Sequence, residues 1–135
     1  MRLLPIQVWQ NVKIYNGNMP GNMDNHQFLM YQDNLFTIGG SMNYDYGEPT
    51  VLCFIFHLKS SEVEQINSLE KPTAEHTVHH IAGEIKAYVC GGMTRDEKCL
   101  DLCLEFDILN SKFKHFGKLN TARYNAGVIT CKKYL

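Results

Sequence analysis

No run of apolar residues approaches the ~20 needed to span a bilayer; the longest candidate is VLCFIF at 51–56. The opening MRLLPIQVW carries one positive charge and a proline where a secretory signal needs a longer apolar core, so export is not expected. An excess of either charge is also missing. Thirteen Lys and Arg against fourteen Asp and Glu leave a formal −1, which removes any global electrostatic drive toward nucleic acid or an anionic membrane. No C-x-x-C pair occurs, and the five cysteines (53, 90, 99, 103 and 131) are an odd set lying mostly in apolar stretches. They read as reduced, buried small hydrophobes of a cytoplasmic protein rather than as a disulfide framework. There is no P-loop, no nucleophile elbow and no G-x-G-x-x-G.

What is there is a repeat. NLFTIGG (34–40) and IKAYVCGG (85–92) both run aromatic, two residues, Gly-Gly, with Gly39 and Gly91 separated by 52 positions (91 − 39). Downstream, FIFHLKSSEV (54–63) and LEFDILNSKF (104–113) superpose, Phe56 on Phe106 and Val63 on Phe113, 50 positions apart (106 − 56). A tail of an earlier copy precedes them, with Trp9 in the place of Phe113. TARYNAGVITCKKYL begins a further copy.

Each unit reads as four strands. In the second they are expected at about 76–82, 85–91, 99–107 and 112–117. CLDLCLEFD alternates, which predicts Leu100, Leu102, Leu104 and Phe106 on one face and Cys99, Asp101, Cys103 and Glu105 on the other. KSSEVEQINSLEK is the best helix candidate, yet the repeat explains Val63, Ile66 and Leu69 as turn plus strand, and that reading is preferred. The chain therefore divides into 1–25 (last strand of a preceding unit and a connection), 26–70, 71–119, and 120–135 (first strand of a following unit).

These residues resemble kelch repeats, whose period is about 50 and whose units are four-stranded β-propeller blades. Phe106-Asp107 followed by Phe113 fits that pattern; Phe56-His57 followed by Val63 keeps only its spacing. The resemblance implies an all-β fold with about two complete blades. Gly39, Gly40, Gly91 and Gly92 would be its structural corners, since glycine alone tolerates unusual backbone angles without bulk. The aromatics at 36, 88, 106 and 113, with Trp9, are expected to fill the space between sheets. Because two blades do not close a ring and open edges invite pairing, the chain is expected to be a partial propeller.

Chemistry is sparse. In EHTVHH (75–80), His76 and His80 have the i, i+4 spacing of metalloprotease motifs, but the intervening glutamate is missing and the context is a strand. Cys99 and Cys103 are likewise explained by strand alternation. Neither a metal nor any other cofactor is implied, and no catalytic residue is assigned. The loops after each Gly-Gly, SMNYDYGEP (41–49) and MTRDEK (93–98), differ between copies beside a retained strand pattern, which suits a recognition surface. Tyr44, Tyr46 and Arg95 are residue types common at binding hot spots. Arg123 matches the arginine that many kelch repeats carry at the rim, its place in the preceding copy being taken by Glu75. The plainer reading of each is a solvated loop side chain.

The resemblance implies a non-enzymatic protein-binding scaffold in the cytoplasm, with a cytoskeletal association by analogy with family members, other proteins or the remaining blades as partners, and neither nucleic acid nor membrane. A ubiquitin-ligase adaptor role, a galactose-oxidase-like metal enzyme and a structural part of a large assembly are the alternatives.

Overall fold

The computed structural model describes residues 23–42 and 48–129, and the described residues form β-strands and connections without a helix. Short apolar runs between turn residues build two four-stranded antiparallel sheets. The first contains β2 (Gln27–Tyr31), β3 (Asn34–Ile38), β6 (Cys53–His57) and β7 (Glu62–Ile66), in the spatial order β2-β3-β6-β7. The second contains β8 (Thr77–His80), β9 (Lys86–Cys90), β10 (Leu102–Asp107) and β11 (Lys112–Lys118), also in chain order across the sheet. Three two-residue strands, β1 (Met23–Asp24), β4 (Ser41–Met42) and β5 (Glu48–Pro49), form a small separate ladder β1-β4-β5.

Register decides which face each side chain takes, because directly opposed residues share a face. In the first sheet, Leu29, Phe36 and Ile55 form one cross-strand row, and Ile38, Cys53 and Ile66 a second. In the second sheet the rows are Val78, Val89, Leu104 and Ala87, Phe106, Phe113. These faces meet in one apolar cluster, which Leu69 and Ile108 complete. Phe36 touches Phe106 edge-on, and Phe113 stacks on Phe106 with centroids 4.6 Å apart. Each fully buried large side chain there contributes roughly 1.5–3 kcal/mol of transfer free energy.

The expected alternation holds within β10, with Leu104 and Phe106 on one face and Cys103 and Glu105 on the other, but the strand is shorter than expected. The strand begins at Leu102, and Cys103, Leu104, Glu105 and Phe106 are all buried, so neither face is a plain solvent face. Glu105 is held by Lys86 and Lys114, each 3.1 Å from its Oε1. These partners come from the two flanking strands and offset the cost of covering a carboxylate. Leu100, expected on the strand, instead donates its N–H to the Gly92 carbonyl at 2.9 Å, a corner contact that ends the ladder. β9 and β11 flank β10, and Cys99, expected on this strand, is exposed and lies outside it.

Tyr88 differs from the other aromatics expected between the sheets. Along β9 it alternates with the buried Ala87 and Val89, so it faces away from the first sheet and packs on Phe116, ring centroids 4.8 Å apart. Alternation along β11 from Phe113 puts Phe116 on that face, and a register shift between Cys103 and Leu104 in the β10–β11 ladder leaves it without an opposed residue. Trp9 lies outside the described residues, as does Cys131.

Candidate functional site

The loops that follow the two glycine corners are the candidate site, and the corners explain their placement. Gly39 donates to Leu52 O at 3.1 Å and Gly91 to Leu102 O at 2.9 Å; Gly40 donates to Thr73 O at 3.0 Å and Gly92 to Arg123 O at 2.9 Å. Thr50 donates to Gly40 O and Leu100 to Gly92 O; Leu69 donates to Val51 O and Leu119 to Asp101 O; Thr73 donates to Thr50 O and Arg123 to Leu100 O. Each of these bonds of the first unit thus has its counterpart 50 to 52 positions later, in the same direction (119 − 69 = 50; 91 − 39 = 52). Each pair of glycines has positive φ, Gly39 at 54° and Gly91 at 68°. A Cβ on Gly39 would stand 2.7 Å from Thr73 O, and one on Gly91 would collide with Arg123 O, so the crossing segment needs a residue without a side chain here.

This bonding moves one sequence equivalence. Thr73, not Glu75, occupies the place of Arg123; Glu75 corresponds to Asn125, and the two share positive φ values of 56° and 49°. Asn25, a further 50 positions earlier (75 − 25), has φ 50°. Arg123 is exposed, with its Nε donating to Thr121 O at 3.2 Å.

Of the two loops, the second is fully described. Thr94 N–H donates to Lys98 O, Glu97 N–H returns to Thr94 O, and Glu97 closes the turn with φ 58°. The Thr94 hydroxyl donates to Asp96, whose carboxylate also meets Lys98 at 2.9 Å; together, Thr94 first, they hold the Asp96 carboxyl down at about 2. The turn is therefore built from its own side chains, with exposed Arg95 at its tip. Of the first loop, Ser41–Met42 and Glu48–Pro49 pair with each other at its base. Tyr44 and Tyr46 lie outside the described residues. Since both loops leave equivalent corners of stacked units, Arg95 and the first loop issue from the same end of the two sheets.

His76 and His80 sit in different surroundings. His76 precedes β8 and is 1 % exposed, packed where a Cβ on Gly39 or Gly92 would strike it. Burial pushes its pKa down to about 4; the backbone of Ile38 and Thr73 faces the ring and favours the cation, and His26 opposes it. Neither ring nitrogen makes a hydrogen bond of good geometry. His80 sits in β8 with Nε2 2.8 Å from Glu84 O. Among the described residues no three His, Cys, Asp or Glu side chains come together as metal ligands. The thiols are equally quiet: burial raises Cys53 to about 11, and burial with the opposed Cys103 raises Cys90 to about 12.

One groove of about 480 Å³ runs along the outer edge between the units, lined by Glu70, Lys71, Asp101, His115, Phe116 and Lys118. His115 Nε2 meets Glu70 at 3.1 Å across it. No local pattern in the sequence marks it, because Glu70 lies in the connection after β7 and His115 in β11, 45 positions later. No helix among the described residues is long and apolar enough to cross a membrane. No protein-family model matches the chain, and no curated protein matches it.

Proposed function

We propose that the chain is a protein-binding scaffold of kelch-repeat type, each four-stranded sheet being one blade of a propeller, with the loops 41–49 and 93–98 as its recognition surface. The observation that carries this reading is the pair of equivalent glycine corners. A rigid, repeated backbone crossing delivers two loops of unrelated sequence to one end of the stack. Rigid frames with variable tips suit binding, because the frame removes the ordering cost that a free loop would meet on association. Within that surface Arg95, Tyr44 and Tyr46 are the contact residues, and Arg123 lies beside the second corner.

The test replaces both loops with short Gly/Ser linkers in the full chain and compares the proteins retained by each version. Loss of specific partners with unchanged folding is the expected result. An unchanged set of partners rejects this surface.

A further inference from the structure

Cys90 and Cys103 stand directly opposite each other, in the last pair of the β9–β10 ladder before the glycine corner. Gly91 N–H donates to Leu102 O at 2.9 Å, so the adjoining pair, Cys90 and Cys103, is one whose residues exchange no hydrogen bond with each other. Such pairs bring their Cα atoms to about 4.5 Å, with both side chains on one face. A disulfide accepts Cα separations of roughly 4.4–6.8 Å, so the register already meets its demand. The sulfurs lie close enough for the Cys103 thiol to be a hydrogen-bond partner of Cys90.

Neither flanking residue of this row is bulky: Thr77 opposes Cys90 from β8, and Gly117, with open space around it, opposes Cys103 from β11. The first unit lacks the arrangement. There Cys53 faces Ile38 (103 − 53 = 50; 90 − 38 = 52), and its thiol turns to Val51 O at 3.6 Å. The facing thiols thus belong to the unit that carries the loop 93–98, and that loop lies wholly between them, so a bond joining the two sulfurs closes its stem. Cys90 is half-buried and Cys103 buried, so a reagent meets Cys90 first.

We infer that Cys90 and Cys103 are a reversible dithiol site, closed to a cross-strand disulfide by small disulfides of the oxidised-glutathione type. Opening at the end of β9 exposes Cys90, whose thiolate attacks one sulfur of the small disulfide; that S–S bond breaks, one thiolate leaves, and Cys90 holds a mixed disulfide. When the strands pair again, the Cys103 thiolate attacks the Cys90 sulfur, the mixed bond breaks and the second thiolate leaves. The two departing thiolates take up the two protons that the cysteines lose, so the protein dithiol is oxidised and the small disulfide is reduced to two thiols. Excess small thiol runs the same steps backwards. Burial, then the facing Cys103, raises the Cys90 thiol to about 12, which makes closure slow. The inference goes beyond the loop reading and stands on the β9–β10 register, whatever the loops bind.

The test uses the full chain with Cys99→Ser, because Cys99 and Cys103 share the tryptic peptide 99–112 while Cys90 lies in 87–95. The folded protein is incubated at pH 8 with oxidised glutathione, its remaining thiols are blocked, and it is mapped without reduction by mass spectrometry. The expected result is peptide 87–95 joined to 99–112, with the two thiols lost together and both restored by dithiothreitol. With Cys103→Ser added, Cys90 accumulates as the mixed disulfide with glutathione. Any other end state of the Cys99→Ser chain overturns the inference: both thiols still free, each carrying glutathione, or either joined to Cys53, Cys131 or a second chain in preference to its opposite. Joining seen only in urea overturns it as well.

Discussion

Phe36 meets Phe106 edge-on, with ring centroids 5.9 Å apart and planes at 70°, and this contact joins the two sheets at the centre of their shared core. Phe106 is fully buried and also carries the stacked Phe113. Phe106→Ala therefore leaves a cavity lined from both sheets and should cost about 3–5 kcal/mol, with Phe106→Leu costing less. Urea unfolding of the two variants checks the order. Phe113→Ala, from a half-buried position, should fall below Phe106→Ala.

The glycine corners are open to a matched comparison. Gly91→Ala drives a Cβ into the Arg123 carbonyl from a backbone with φ 68°, and should cost roughly 1–3 kcal/mol. Gly117→Ala has open space around the added carbon and should be close to neutral. Equal effects in thermal unfolding would remove the corner argument.

His76 gives the fold a pH dependence whose sign is fixed. Its pKa in the folded chain, about 4, lies below the ordinary 6.5, so the unfolded chain binds the proton first. Stability is fully present above about pH 6.5, falls as the pH drops toward 4, and levels off below that. The loss is on the order of 3 kcal/mol. Denaturation midpoints between pH 7 and 4, with His76→Gln removing the slope in that window, test it.

Cysteine reactivity should follow exposure and thiol acidity. Cys99 is exposed, while Cys53 and Cys103 are buried and Cys90 is pushed up to about 12. Iodoacetamide at pH 8 should label Cys99 well before those three, which should react only as the fold opens. Peptide mapping by mass spectrometry reads each site separately.

Much of the frame was legible because alternation and the glycine pairs are local signals. NLFTIGG and IKAYVCGG end where β3 and β9 end, at the corners. What escaped depends on distant partners. Alternation puts Glu105 on the face opposite Phe106, but not the Lys86 and Lys114 that reach it from flanking strands. His76 reads as a strand residue until the glycines of two different units close over it. The alternating run puts the start of β10 too early, because nothing in it shows the bond from Leu100 to Gly92. Residue type alone points to Arg95; the Thr94–Asp96–Lys98 turn that presents it depends on the folded geometry.

Packing of the Phe36 face of the first sheet on the Phe106 face of the second, a same-sense stacking of the two repeated sheets, underlies the proposed loop surface, and aromatic NOEs test it most directly. Stacking of this kind predicts cross-peaks from Phe36 to Phe106 and from Tyr88 to Phe116, with none from Phe36 to Tyr88. A Phe36–Tyr88 cross-peak, the mark of sheets packed through like faces, would contradict it.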